Sequence, residues 1–84
     1  MPTTMTQEQA RLRLCELAAT QASVDAREVT PDTDFFVDLN FDSLDTVEYT
    51  MMIEEEFEVT IPDERADNVR TPADALAMLW PLLS

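Results

Sequence analysis

Leu14, Leu17, Ala18 and then Gln21 or Ala22 fall three and four residues apart, the recurrence that lines one face of an α-helix. Upstream, Thr6-Gln7-Glu8-Gln9 has the spacing of a capping box, so the pattern predicts a first helix over roughly residues 7–21. The periodicity then breaks. Val24 and Val29 punctuate a polar stretch that ends in Thr30-Pro31-Asp32, and Phe35, Phe36, Val37 and Leu39 follow as apolar anchors, which predicts a long loop pinned by hydrophobes.

Helical spacing resumes at Asp42-Ser43, where a side-chain oxygen can cap free backbone amides and carboxylates suit the positive end of the helix dipole. This second helix should reach Phe57 or Glu58. Val47, Thr50, Ile53, Glu54 and Phe57, joined by Tyr49 and Thr46, form the side expected to face the core; Leu44, Glu48, Met51 and Glu55 form another that mixes apolar and acidic groups. Pro62 ends the extended Val59-Thr60-Ile61 segment, and residues 63–68 have room only for a short turn of helix, anchored by Val69. Thr71-Pro72-Ala73-Asp74 is a helix start with Thr as N-cap and Pro at the first helical position, followed by a buried stripe of Ala75, Leu76, Leu79 and Trp80. Pro81 should end or kink that helix and leave Leu82-Leu83-Ser84 as a short tail. The expected architecture is all-α: four helices, the third short, with one long loop between the first two. Residues 1–5 are expected to be a flexible tail and residues 6–84 a single domain.

Length and charge narrow what such a bundle can do. A chain of 84 residues, 45% hydrophobic, supports one small core, which favours function at a surface or shallow pocket over a deep enclosed active site. The net charge is -13 and all five cations are arginines, so nucleic acid and anionic membranes are repelled and basic protein surfaces attracted. Thirteen acids and one cation, Arg65, lie between Asp32 and Asp67, which places the expected docking region in the middle of the chain. Cys15 stands alone, excluding an internal disulfide and reading as a small helix residue packed as a hydrophobe. No apolar stretch approaches a membrane span and Met1 to Gln7 lacks the pattern of a signal peptide, so a cytoplasmic monomer is expected, and the absence of flanking linkers favours a free-standing protein.

Ser43 is the residue with chemical potential. A catalytic serine needs a neighbouring base, and the chain contains neither His nor Lys; Ser43 is a poor catalyst and a plausible substrate. At a helix N-terminus its hydroxyl is exposed, and a phosphodiester formed there would sit against free amides and the helix dipole. The bland alternative is that Ser43 merely begins a helix.

The surrounding segment, Asp38-Leu39-Asn40-Phe41-Asp42-Ser43-Leu44-Asp45, resembles the Asp-Ser-Leu signature of acyl carrier proteins. The likeness extends through Asp45-Thr46-Val47-Glu48, Glu54-Glu55-Glu56-Phe57 and Ile61-Pro62-Asp63-Glu64, back to Val29-Thr30 and forward to Thr71. What the resemblance implies is a four-helix carrier bundle, not an enzyme, with 4'-phosphopantetheine on Ser43. A phosphopantetheinyl transferase would load it, and the arm would shuttle acyl thioesters between acyl transferases and ketoacyl synthases of fatty acid or polyketide-type synthesis. It also implies docking to basic patches through Asp38, Asp42, Asp45, Glu48 and Glu55, with Leu44 and Met51 supplying the apolar part. An acyl chain would slip between the second and third helices near Thr46, Thr50, Ile53, Ile61, Ala66 and Val69, positions that are also ordinary core. Three features depart from the family. Thr50 puts a hydroxyl toward that pocket; Asn40 and Phe41 stand where Gly and a small or aliphatic residue are usual, Asn being able to take left-handed geometry; and Trp80-Pro81 alter the last helix.

Two rival readings remain. Asp38, Asn40 and Asp42 have the first spacings of a calcium loop, but the sixth position is Ser43 instead of Gly and the twelfth is Tyr49 instead of Glu, so no dedicated metal site is expected. The other is an unmodified acidic adaptor that keeps the carrier fold and uses the Leu44, Glu48, Met51 surface only for binding.

Overall fold

A computed structural model describes residues 5–83. Four helices follow in order, α1 (Gln7–Ala22), α2 (Ser43–Phe57), α3 (Asp63–Ala66) and α4 (Pro72–Leu79), with 3-10 turns at Ala26–Glu28 and Trp80–Leu83 and no strand among the described residues. The expected all-α architecture with a long first connection is therefore what is found. The tail expected over residues 1–5 lies, apart from Met5, outside the described residues, as does Ser84.

Each long helix begins where its caps dictate. Thr6 and Gln9 cap one another reciprocally at the start of α1, the Thr6 hydroxyl accepting from the Gln9 amide at 3.1 Å and the Gln9 side chain from the Thr6 amide at 2.9 Å. At α4 the Thr71 hydroxyl accepts from the Asp74 amide at 3.1 Å and Pro72 fills the first helical position, where its missing N–H costs nothing. The chain has no glycine, and α1 and α2 end instead on Ser23 and Glu58 in left-handed geometry, φ 60° and 55°.

Helix α1 packs against both α2 and α4. It buries Ala10, Leu14, Cys15, Leu17, Ala18 and Ala19, a wider stripe than expected, in which Cys15 takes the predicted role of a small hydrophobe; burial pushes its thiol pKa up. From α2 only Tyr49 and Ile53 are buried, and α4 contributes Pro72, Ala75 and Leu79. Phe35 and Phe41 from the long loop complete the centre: their rings stack at 5.2 Å, and Tyr49 meets Phe35 edge-on at 4.9 Å and Phe41 at 6.0 Å. The Tyr49 hydroxyl donates to the Leu14 carbonyl at 2.9 Å, pinning α2 to α1 through the core.

Two expectations are corrected and one alternative is settled. Val47 is 55% exposed, not core: α2 rests on the bundle along Tyr49 and Ile53, which turns Val47 outward beside Met51. Of Gln21 and Ala22, Ala22 is the one that continues the stripe against the core, while the Gln21 amide reaches out to two carboxylates of α2. Pro81 does not release a tail, because the chain continues through the Trp80–Leu83 turn and brings Leu82 and Leu83 against the core. Residues 26–28 also form a 3-10 turn that hydrophobic periodicity did not reveal, although Asp25 and Glu28 stand at capping-box spacing and cap it reciprocally.

Candidate functional site

The long loop delivers Ser43 to a fixed place. Its backbone is tied to the start of α4: the Phe35 amide donates to the Arg70 carbonyl at 2.8 Å, and the Ala73 amide to the Pro31 carbonyl at 3.0 Å. The Asp34 carboxylate accepts from the amides of Val37 and Phe36 and from the Arg70 guanidinium, and these three contacts, led by Val37, hold its pKa below the ordinary carboxylate value. Arg70 also lies over the Phe36 ring, 5.0 Å from its centre. The Phe41 amide then donates to the Phe35 carbonyl at 2.8 Å, closing a turn that needs Asn40 at φ 61°. Asn40 takes the left-handed turn expected of it. Phe41, the other departure from the family pattern, is buried in the aromatic cluster, so its bulk anchors the loop and leaves the surface around Ser43 clear.

Ser43 is the first residue of α2 and is exposed. Asp42 is the N-cap: its carboxylate accepts from the Asp45 amide at 2.9 Å while the Asp45 carboxylate accepts from the Asp42 amide at 3.1 Å. Of the four amides that a helix start leaves without internal partners, this box satisfies two. The amides of Ser43 and Leu44, next to the Ser43 hydroxyl, have no protein acceptor among the described residues. An exposed hydroxyl beside two free amides at the positive end of a fifteen-residue helix fits an esterified phosphate.

Acidic and apolar groups surround it. Asp38, Asp42, Leu44, Glu48, Met51 and Glu55 are exposed, with Leu44 at 64% and Met51 at 54%; Asp45 is half-buried. Val47, at 55%, adds to the apolar part of this face of α2, and Val37, at 75%, is exposed on the long loop, whereas the first is expected in the core and the second among the loop anchors. Gln21 explains the position of Asp45: its side-chain amide donates to Asp45 Oδ1 at 2.8 Å and to Glu48 Oε1 at 2.9 Å. The Asp42 amide and then the Gln21 amide lower the Asp45 pKa. The carboxylates read as the start of a calcium loop are used otherwise, Asp38 accepting from the Asp34 amide at 2.8 Å and Asp42 capping α2. The described residues bring no group of three potential metal ligands together.

The six positions expected to receive an acyl chain line two neighbouring spaces that share Thr46, Thr50 and Ala66. A groove of about 420 Å³ between α2 and α3 has Thr46, Thr50, Ile61 and Ala66 among its walls, with Val47 and Met51 at its rim. Behind it lies a void of about 10 Å³ that Thr46, Thr50, Ile53, Ala66 and Val69 help to line. The Thr50 hydroxyl donates to the Thr46 carbonyl at 2.9 Å, so the polarity that Thr50 introduces is spent on its own helix.

The family model for phosphopantetheine attachment sites matches residues 12–79, which run from the first core turns of α1 to the end of α4. The chain belongs to that family. It is similar to the acyl carrier protein of Prochlorococcus marinus (strain MIT 9515), 43% identical over 75 residues that make up 89% of this chain and 94% of the relative. It is also similar to the acyl carrier protein of Helicobacter hepaticus (strain ATCC 51449 / 3B1), 51% identical over 59 residues, 70% of this chain and 78% of the relative. The resemblance read from the Asp-Ser-Leu segment is thus confirmed, and the prosthetic group of the family is phosphopantetheine. The chain is a carrier and not an enzyme. No described helix is long and apolar enough to cross a membrane.

Proposed function

We propose that the protein is an acyl carrier in which Ser43 bears 4'-phosphopantetheine and passes acyl thioesters between the enzymes of fatty acid or polyketide-type synthesis. The observation that carries this reading is the exposed Ser43 hydroxyl at the capped start of α2, beside two amides without an acceptor among the described residues. A phosphopantetheinyl transferase moves the arm from coenzyme A to the Ser43 oxygen: a new phosphorus–oxygen bond forms, the bond to the adenosine bisphosphate leaving group breaks, and the transferase takes the hydroxyl proton. The chain has no histidine or lysine to serve as that base, and the neighbouring Asp42 and Asp45 carboxylates are engaged in the capping box, which assigns deprotonation to the partner. Once attached, the arm supplies a terminal thiol that holds acyl groups.

Recognition falls to the exposed face of α2. Leu44, Val47 and Met51 form an apolar strip flanked by Asp38, Asp42, Glu48 and Glu55, with Asp45 held behind them by Gln21. Acyl transferases and ketoacyl synthases with basic patches around an apolar floor match this surface. Each exposed ion pair contributes only a fraction of about 1 kcal/mol, so binding is modest, sensitive to salt and quick to release. The protein acts as a cytoplasmic monomer.

Incubation with coenzyme A and a transferase of broad specificity, followed by intact-mass analysis, tests the reading. A mass gain equal to one phosphopantetheine arm, absent in Ser43→Ala, supports it. A chain that folds but acquires no mass is instead an unmodified acidic adaptor.

A further inference from the structure

Behind the groove between α2 and α3 the bundle is closed by one unusually well-anchored side chain. The groove of about 420 Å³ and the void of about 10 Å³ share Thr46, Thr50 and Ala66, three small residues, so a neck between the two would lie there. The void has room for about one water-sized group. Its inner walls include Phe35, Tyr49, Ile53 and Met78. Tyr49 is the largest of the fully buried side chains, 2% exposed. It is held at both ends of its ring system: the hydroxyl donates to the Leu14 carbonyl at 2.9 Å, and the ring packs edge-on against Phe35 and Phe41. A ring fixed by a buried hydrogen bond and two aromatic neighbours cannot swing aside without leaving a buried polar group unpaired. Met78 is the adaptable wall, but it is one side chain on α4 and lies only part-way into the core.

We propose that Tyr49 is the floor of the cargo site and sets its length limit, so that this carrier shelters only the end of a short acyl group and leaves longer chains exposed in the groove. The inference rests on the carrier reading above. Specificity comes from depth: the neck admits a methyl group, and the next carbon meets the Tyr49 ring. The exposed groove cannot shelter the excess, because Glu54, Asp63 and Asp67 line it alongside the apolar residues.

The test uses the intact protein loaded on Ser43 by transferase from acetyl-, butyryl-, hexanoyl-, octanoyl- and dodecanoyl-coenzyme A, with loading verified by mass. The melting midpoint of each form is compared with that of the protein carrying the unacylated arm. Each methylene newly buried raises the midpoint of a domain this small by about 3–6 °C. The expected result is one such step at a short acyl group and then no further rise from hexanoyl to dodecanoyl. In Tyr49→Leu the rise continues to longer acyl groups; in Ala66→Leu, which blocks the neck, it disappears at every length although loading is unchanged. A midpoint in the native protein that climbs steadily to dodecanoyl overturns the proposal, and so does one that no acyl group moves; both leave the carrier function standing. Failure of Ser43 to load removes the carrier reading and this inference together. Should Tyr49→Leu not fold, the native series and Ala66→Leu still decide.

Discussion

Asp42 holds two tasks that can be separated by substitution. Its carboxylate accepts from the Asp45 amide at 2.9 Å and so caps the helix that presents Ser43, and its charge belongs to the acidic rim around that serine. Asp42→Ala removes both. Loss of an N-cap acceptor costs about 1 kcal/mol, within a range of about 0.5–2 kcal/mol, and the reciprocal bond from the residue 42 amide to the Asp45 carboxylate survives because it needs only the backbone of residue 42. In a domain of this size that cost lowers the melting midpoint by about 4–8 °C. Removing one of many crowded carboxylates works in the opposite direction, by a fraction of about 1 kcal/mol that moderate salt screens, so the cap dominates when melts are run in salt. Asp42→Asn keeps an acceptor oxygen of nearly equal capping strength and loses only the charge. Thermal melts by circular dichroism should therefore place Asp42→Asn with the wild type and Asp42→Ala below it. Loading rates should fall in both, since both lose the charge a basic partner meets. The reasoning is refuted if Asp42→Ala melts with the wild type in moderate salt, or if Asp42→Asn falls as far as Asp42→Ala.

Three further outcomes follow from the same contacts. Asp34, Asp45 and Glu56 have pKa values lowered in the fold, by backbone amides at the first two and by Arg13 at the third, so their contribution is present above the ordinary carboxylate range and is lost as pH falls through their lower folded values. Acid titration should accordingly begin to weaken the fold below about pH 4, and Asp45→Asn should reduce the number of protons taken up on acid unfolding; an unchanged proton uptake would count against it. Because thirteen carboxylates crowd residues 32–67, the melting temperature should rise from low to moderate salt and with divalent cations, and a flat salt series would be inconsistent with that crowding. Tyr49→Phe removes the hydroxyl that donates to Leu14 and should cost about 0.5–1.5 kcal/mol in chemical denaturation, whereas an unchanged midpoint would mean that this bond does not hold α2 to α1.

What could be read from the chain was what its neighbours in sequence decide. Thr6 with Gln9, Asp42-Ser43, and Thr71 with Pro72 and Asp74 are start signals made within four residues, and they place the starts of α1, α2 and α4 where the structure has them. Ser43 was legible for the same reason. Features that depend on distant partners were not. Val47 and Thr50 lie only about 60° apart around an ideal helix, so periodicity could not tell which of them α1 would leave uncovered; the aromatic cluster settled it by drawing Tyr49 and Ile53 inward. Phe35, Phe41 and Tyr49 are apolar in any reading, but that they meet, and that Phe41 thereby leaves the Ser43 surface, depends on the loop being tied to α4 through Arg70 and Pro31. Spacing leaves Gln21 and Ala22 as alternatives for the end of the α1 stripe, and what separates them is on another helix, where Asp45 and Glu48 accept from Gln21 while Ala22 packs against the core. At the C-terminus Pro81 reads as a stop or a kink, and at the second position of a 3-10 turn its absent N–H is not needed, so the chain continues against the core.

The most direct measurement of the central claim is made on the protein isolated from its own cell. Intact-mass analysis followed by fragmentation of the peptide spanning Asp42-Ser43-Leu44 should find a phosphopantetheine arm, free or acylated, attached through the Ser43 oxygen. A native population that carries no group on that peptide, or that carries the arm on another residue, would contradict the account.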